Sequence, residues 1–432
     1  MDYRYTEKEY IDKDRKYIFH SCGFSTLVQA EGKGCILKDI NGKEYIDTIS
    51  QMGGPAGVGI SHPKVVKAVK DQVEKLTCAM AWGINIPRVE AAEKLAQITP
   101  AGMTKFLFAA GGGESNEAAL KAAMKITKKK GVISVHHAFH GASIALLNLG
   151  MPGGAVDVPK IPGFRQIPAP YCYRCSYGKS YPNCDLECAK FLEEKIQSGA
   201  CDDVAAFIME PILGSGGQIV PPQEYFKIIR EICDRYGVLF ITDEIQTGFG
   251  RTGKMWGIEH YGVVPDIMVI SKGMGGGVPV SAAVFKEEIV TPELEKDFHH
   301  IYTNQGIPLS CAAASAVVDI MLEEDIPGKA EKMGKFWYER LKKLEEKHRL
   351  IGDIRAKGLF IGVELVKDRK TKERATQEAR RVIEEGLKRG VIFHPGGDNI
   401  IKFKPPIVIT EELSSRVLKV FDEVLGIVER QM

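Results

Sequence analysis

Asp243 and Lys272 are the two residues whose chemistry stands out. Each lies just beyond a short apolar run, Val238–Ile241 and Ile267–Ile270. Runs of this length and composition suit strands buried on both faces of a parallel sheet. Ligands of open α/β sheets bind at the carboxyl ends of strands. A carboxylate and an amine from neighbouring strand ends could therefore face one pocket. An Asp there can also be a plain helix cap, and a Lys a plain surface residue.

One cofactor uses such a pair. Pyridoxal phosphate forms a Schiff base with a lysine amine, and a carboxylate that keeps its ring nitrogen protonated makes the ring a better electron sink. Burial lowers the amine's hold on its proton. The residues around the pair read DEIQTGFGRTGKMW and PDIMVISKGMGGGVPVSA. They resemble the signature of the class III, or omega, aminotransferases of the fold type I pyridoxal phosphate enzymes; dialkylglycine decarboxylase is a close relative. The resemblance implies an α/β fold: a large domain with a mainly parallel sheet between helices, and a smaller α+β domain. The expected organisation is an N-terminal segment, 1–60, joining the small domain, a cofactor-binding domain, 61–315, and a C-terminal small domain, 316–432.

Other stretches must position the pair. GCILKDINGKEYIDTIS reads as a hairpin turning at Asn41-Gly42, and the family often opens with a similar segment. A helix is expected from His62-Pro63 to Glu74. Lys105–Ala110 reads as a strand, and GGGESNEAALKAAMKITKKK as a glycine turn feeding a helix that stops at Gly131. Free N–H groups and the positive dipole end of such a helix suit a phosphate, although the same pattern also fits a dinucleotide. Gly131–His137 and Asp203–Glu210 are further strands, and Pro222–Tyr236 an amphipathic helix leading into Val238. Strand, helix and strand in this order build a parallel sheet. Val280–Phe285 is one more strand.

By resemblance, Gly112 and Gly113 take the cofactor phosphate, without the family's usual hydroxyl. Phe139 matches the aromatic residue lying flat on the cofactor ring, and His140-Gly141 also matches. Glu210 lies beside the cofactor, paired with a positive or amide group, and Gln246 reaches the ring hydroxyl. Thr303 matches a threonine that reaches the phosphate of a neighbouring subunit, which implies a homodimer with shared sites. Gln51 and Ser215 resemble substrate-side positions of the decarboxylase. The decarboxylase's alkali-ion ligand is replaced here by Ile307, so that ion is not expected. Lys402 stands where many family members bind the substrate α-carboxylate with an arginine. A lysine gives a point charge without the bidentate fork, so the substrate is a carboxylate bound differently or an amine without one. A solvated strand residue is the plain alternative.

Cys172, Cys175, Cys184 and Cys188 have a spacing that could hold structural zinc, with reduced thiols as the stronger alternative. His136, His137 and His140 are adjacent but lack a convincing fourth ligand. Beyond residue 320 charged and apolar residues alternate, with helices expected near 329–347, 373–389 and from 410.

The 58 basic and 56 acidic residues argue against a binder of nucleic acid by bulk charge. Ten cysteines in 432 residues suit a reducing compartment. With no apolar signal core and no long apolar run, no membrane span is expected and a cytoplasmic setting is the default. The expected reaction moves an amino group from an amino acid or amine to a 2-oxo acid. Racemisation, dialkylglycine-type decarboxylation or ammonia elimination on the same cofactor, and a catalytically idle binding module, are the alternatives.

Overall fold

The computed structural model describes residues 3–21, 25–150, 158–199 and 203–432. Part of the Pro- and Gly-rich stretch near residue 150 lies outside them. β1 (Gln29–Lys33), β2 (Ile36–Asp39) and β3 (Glu44–Asp47) form an antiparallel meander. The β2–β3 turn uses Gly42 at φ +81°, a conformation glycine adopts without steric cost.

Seven strands make the large sheet: β4 (Met103–Ala109), β5 (Gly131–Val135), β6 (Phe164–Ile167), β7 (Val204–Met209), β8 (Leu239–Asp243), β9 (Ile267–Ile270) and β10 (Ser281–Lys286). Their spatial order is β4-β10-β9-β8-β7-β5-β6. β10 runs antiparallel to both β4 and β9, and the remaining pairings are parallel. β5, β7 and β9 are buried along their whole length, as strands covered by helices on both faces must be. The Ala-rich helix Gly112–Thr127 packs on the sheet, and its small residues let it lie close. Phe226, from the helix Tyr225–Tyr236, stacks on Phe240 of β8 at 5.9 Å.

The third sheet is built from β11 (Ile351–Lys357), β12 (Phe360–Asp368) and, after the short strands β13 (Glu373–Arg374) and β14 (Val391–Ile392), β15 (His394–Gly396) and β16 (Ile400–Phe403). Trp337, Phe393, Phe403 and Phe421 form its aromatic core. β14 pairs in parallel with β3, so the N-terminal meander is joined to the C-terminal part of the chain.

The sequence reading placed most elements, with informative differences. Residues 7–17 form a helix it did not assign. The helix has a Thr6/Glu9 capping box but buries no residue, so it carries no core-facing apolar stripe. Helices Ile86–Ala96 and Pro308–Glu323 were also not assigned; they pack together beside the large sheet. The expected helix at Pro222 starts at Tyr225, after two prolines that disfavour helical backbone before them. The one expected at 373 starts at Thr376, because Glu373 and Arg374 pair with β12.

Cys172, Cys175, Cys184 and Cys188 are free thiols. Among the described residues no group of three or more His, Cys, Asp or Glu is arranged to hold a metal ion. Burial pushes the Cys188 thiol up to about 12. No helix among the described residues is long and apolar enough to cross a membrane.

Candidate active site

Asp243 ends β8, and Lys272 follows β9 by two residues; the strands are parallel neighbours with Asp243 opposite Val269. Both side chains open onto one cavity of about 150 Å³. The carboxyl ends of β4, β5 and β7 supply the rest of its wall: Gly112, Gly113, Phe139, His140, Gly141 and Glu210, with Ile245, Gln246 and Ser271 from the central loops.

The Asp243 carboxylate is buried and held from three sides. One oxygen accepts from His140 Nδ1 at 2.8 Å and from Asn116 Nδ2 at 2.9 Å; the other accepts from the Ile245 N–H at 3.1 Å. A carboxylate oxygen has two lone pairs, so the second oxygen keeps one for a ligand. The His140 proton is assigned to Nδ1 because its partner only accepts, and Nε2 lies 3.1 Å from Ser134 Oγ.

The Lys272 side chain is half-buried, but its nitrogen lies deep. Burial lowers the amine's pKa, partly opposed by Asp243 and Glu210. The residue has φ +43°, a left-handed backbone that a lysine rarely adopts. Buried Glu210 accepts from the N–H groups of Phe139 at 3.0 Å and Gly214 at 2.9 Å. Its partners are thus backbone amides, with no side-chain cation bonded to it among the described residues. Burial first, then Asp243, raises its pKa.

The glycines make a cradle that side chains would fill. A Cβ on Gly112 would stand 2.5 Å from Ile245 Cδ1, and one on Gly141 2.6 Å from Leu146 Cδ1. Glu114 caps the N–H groups of Ala110 and Gly111 at 2.9 and 3.1 Å. The N–H groups of Gly112 and Gly113, in the first turn of their helix, remain to face an anion at the cavity.

Other expected residues fall differently. Gln246 lines the cavity, and its Nε2 lies 3.4 Å from Ser215 Oγ, so those two meet. Lys402 is buried on β16, contrary to a solvated strand residue. Burial pulls its amine down to about 8; Glu210 opposes the shift and Lys272 adds to it. Gln51 does not line this cavity. With φ +65° it turns its amide back onto Asp47, 3.0 Å away, and its own N–H donates to the same carboxylate at 2.8 Å. Thr303 is exposed and also lies off the cavity wall.

Three participants escaped the sequence reading. Asn116 lay inside the quoted ESNEA segment, and His140 was weighed only as a family match and a metal ligand. Lys404 was passed over for Lys402 although it is also buried; its Nζ donates to Gln246 Oε1 at 2.8 Å.

A buried lysine amine and a held carboxylate on one cavity, with glycine N–H groups at its edge, are what pyridoxal phosphate requires. The residues present fit that group, and the arrangement on a mainly parallel sheet defines a fold type I pyridoxal phosphate enzyme. The sequence pattern of the family "Aminotransferase class-III" matches residues 21–425. The chain is 37% identical to a leucine/methionine racemase of Thermococcus litoralis, covering 94% of this chain and 92% of that one. It is 34% identical to an acetylornithine aminotransferase of Methanocaldococcus jannaschii, covering 97% and 98%. An amine transaminase from an uncultivated Pseudomonas species, solved with pyridoxal phosphate bound, superposes with a TM-score of 0.90 at 30% identity over 95% of this chain and 99% of that one. The protein belongs to the class III aminotransferases. It is a pyridoxal phosphate enzyme that moves an amino group from an amine or amino acid to a 2-oxo acid.

Proposed function

We propose that Lys272 is the amine that carries the cofactor and that Asp243 is its ring-nitrogen partner. The observation supporting this is the single cavity onto which the Lys272 amine and the Asp243 carboxylate both open. The bound cofactor supplies the electron sink that loosens a bond at the substrate carbon. Lys272, freed by the incoming amine, takes a proton from that carbon and returns one to the cofactor side, as base and then acid. Its lowered pKa suits this role. Asp243, anchored by His140 and Asn116, keeps a proton on the ring nitrogen. Gly112 and Gly113 would hold the phosphate, and Phe139, Glu210 and Gln246 would be the residues around the ring. Lys402 and Ser215 belong to the substrate side; Gln51 belongs there only if its amide leaves Asp47.

The working unit in this reading is a homodimer, with Thr303 serving the cofactor of a second copy. Support comes from an exposed apolar stretch that includes Trp82, 80% exposed, and Ile84, 92% exposed. Soluble chains seldom leave such a patch uncovered. The domain division is 1–60, 61–315 and 316–432, the pairing of β14 with β3 favouring the first join. The setting is cytoplasmic, without nucleic-acid or membrane partners.

A visible band that disappears on borohydride treatment, and is absent in Lys272→Ala, is the expected result. A band that persists in Lys272→Ala would overturn the assignment. Amino donors screened against pyruvate and 2-oxoglutarate then identify the pair used. The racemase relative favours a second reading, inversion of an apolar α-amino acid; loss of optical rotation without an acceptor would select it.

A further inference from the structure

Lys404 is a buried amine that none of the assigned roles uses; burial first, then Lys402, Lys272 and Arg251, lower its pKa well below the usual lysine value. It follows β16 and is 2% exposed. Its backbone is pinned on both sides: its N–H donates to Thr48 O at 2.7 Å, and its carbonyl accepts from Ser50 Oγ at 2.7 Å. A Cβ on Gly53 would stand 3.0 Å from its nitrogen, so the glycine leaves the amine room. Its bonded partner is Gln246 Oε1, 2.8 Å away.

An amide has one accepting and one donating end, and turning it over exchanges them. In this contact the Lys404 amine is the donor. With Lys404 donating to it, the oxygen of Gln246 points at the lysine, and the NH2 end points away. One hydrogen of that NH2 goes toward Ser215 Oγ at 3.4 Å. The other has no protein acceptor among the described residues, and Gln246 lines the cavity. The walls are close: a Cβ on Gly214 would stand 2.7 Å from the amide carbon and oxygen.

We propose that Lys404 is a positioning residue that locks the Gln246 amide with its N–H toward the cavity, so that this wall accepts an oxygen acceptor of the cofactor ring and rejects a donor. The inference rests on the cofactor assignment above. Under that assignment the acceptor is the ring oxygen in its ionised form.

The test is a double-mutant cycle on the full-length protein, titrated with pyridoxal phosphate and followed by its visible band. Lys404→Met is expected to weaken cofactor binding about tenfold, the worth of one oriented hydrogen bond, and to shift the band. Gln246→Leu does the same, and the double variant is no weaker than Gln246→Leu alone. An unchanged affinity and band in Lys404→Met overturns the proposal, as does an equal loss in both backgrounds. If Lys404→Met does not fold, Gln246→Glu decides. Its carboxylate keeps Lys404 paired but presents no donor, so binding must weaken; unchanged binding overturns the proposal. Lys272→Ala is run alongside. A surviving band there sinks the cofactor assignment itself, which is a different failure.

Discussion

His140 and Asp243 face each other across the site, Nδ1 to Oδ2, at 2.8 Å. The pair joins the loop after β5 to the end of β8, two strands separated in the sheet by β7. An imidazole donor fixes the carboxylate's rotation. His140→Ala is therefore expected to lower kcat about 10- to 100-fold, one charge-assisted bond. Asp243→Asn is expected to cost about 1000-fold or more, because it removes the charge itself. Steady-state rates at saturating cofactor measure both. Equal rates in wild type and His140→Ala would show that Asn116 and the backbone hold the carboxylate alone.

A methyl group at Gly112 would meet Ile245 Cδ1 at 2.5 Å, so Ile245 would have to shift. Gly112→Ala is expected to weaken cofactor binding about 10-fold or more. Ile245→Val removes the clashing carbon, so the pair Gly112→Ala/Ile245→Val should regain most of the loss. Equilibrium titration with pyridoxal phosphate reads the difference. No recovery would mean that the glycine's role is backbone freedom and not space.

Lys402 gives a pH signature. Its amine titrates at about 8 in the fold, so it is cationic below that pH and neutral above it. If it receives the substrate carboxylate, KM for an α-amino acid donor rises as pH passes through about 8. KM for a donor without a carboxylate does not. Lys402→Met should raise KM for the amino acid about 10-fold at pH 7 and flatten its pH dependence. The same KM rise for both donor classes would place the carboxylate elsewhere.

Glu244 offers a stability test away from the chemistry. It is fully buried and accepts from the N–H groups of Gly257 at 2.9 Å and Ile258 at 2.8 Å. Burial raises its carboxyl from the usual 4.5 to about 7. The folded state then binds the proton more tightly than the unfolded one, so this contribution is fully present below pH 4.5 and is lost as pH rises through about 7. The loss is at most about 3 kcal/mol. Glu244→Gln leaves one N–H poorly paired and is less stable at low pH, but its melting temperature should fall less between pH 5 and 8. Parallel melting curves for the two proteins would rule this out.

Asp243 and Lys272 were legible in the sequence because chemistry and strand grammar coincide there: an apolar run ends, and a functional group follows. Gly112, Gly113 and Phe139, assigned by resemblance, line the same cavity. What stayed hidden depends on sheet order, which no local pattern records. Asn116 and His140 meet Asp243 only because a helix and the β5 loop converge on the end of β8. Lys404 was hidden by Lys402, since the two lie two residues apart at the end of β16 and only packing shows which amine meets Gln246. Gln51 stands off the cavity because its left-handed backbone turns the amide onto Asp47, a feature its neighbours do not announce.

The reversed strand β10 has a mechanical consequence. In an all-parallel sheet the chain leaving β9 would cross to the opposite edge through a long connection. Here it returns beside β9, so residues 271–280 form a short tether stitched to the sheet at both feet. Lys272 sits one step from the first foot. A tether this short has little slack to lose on ordering, so the amine can let go of one partner and take up another without wandering.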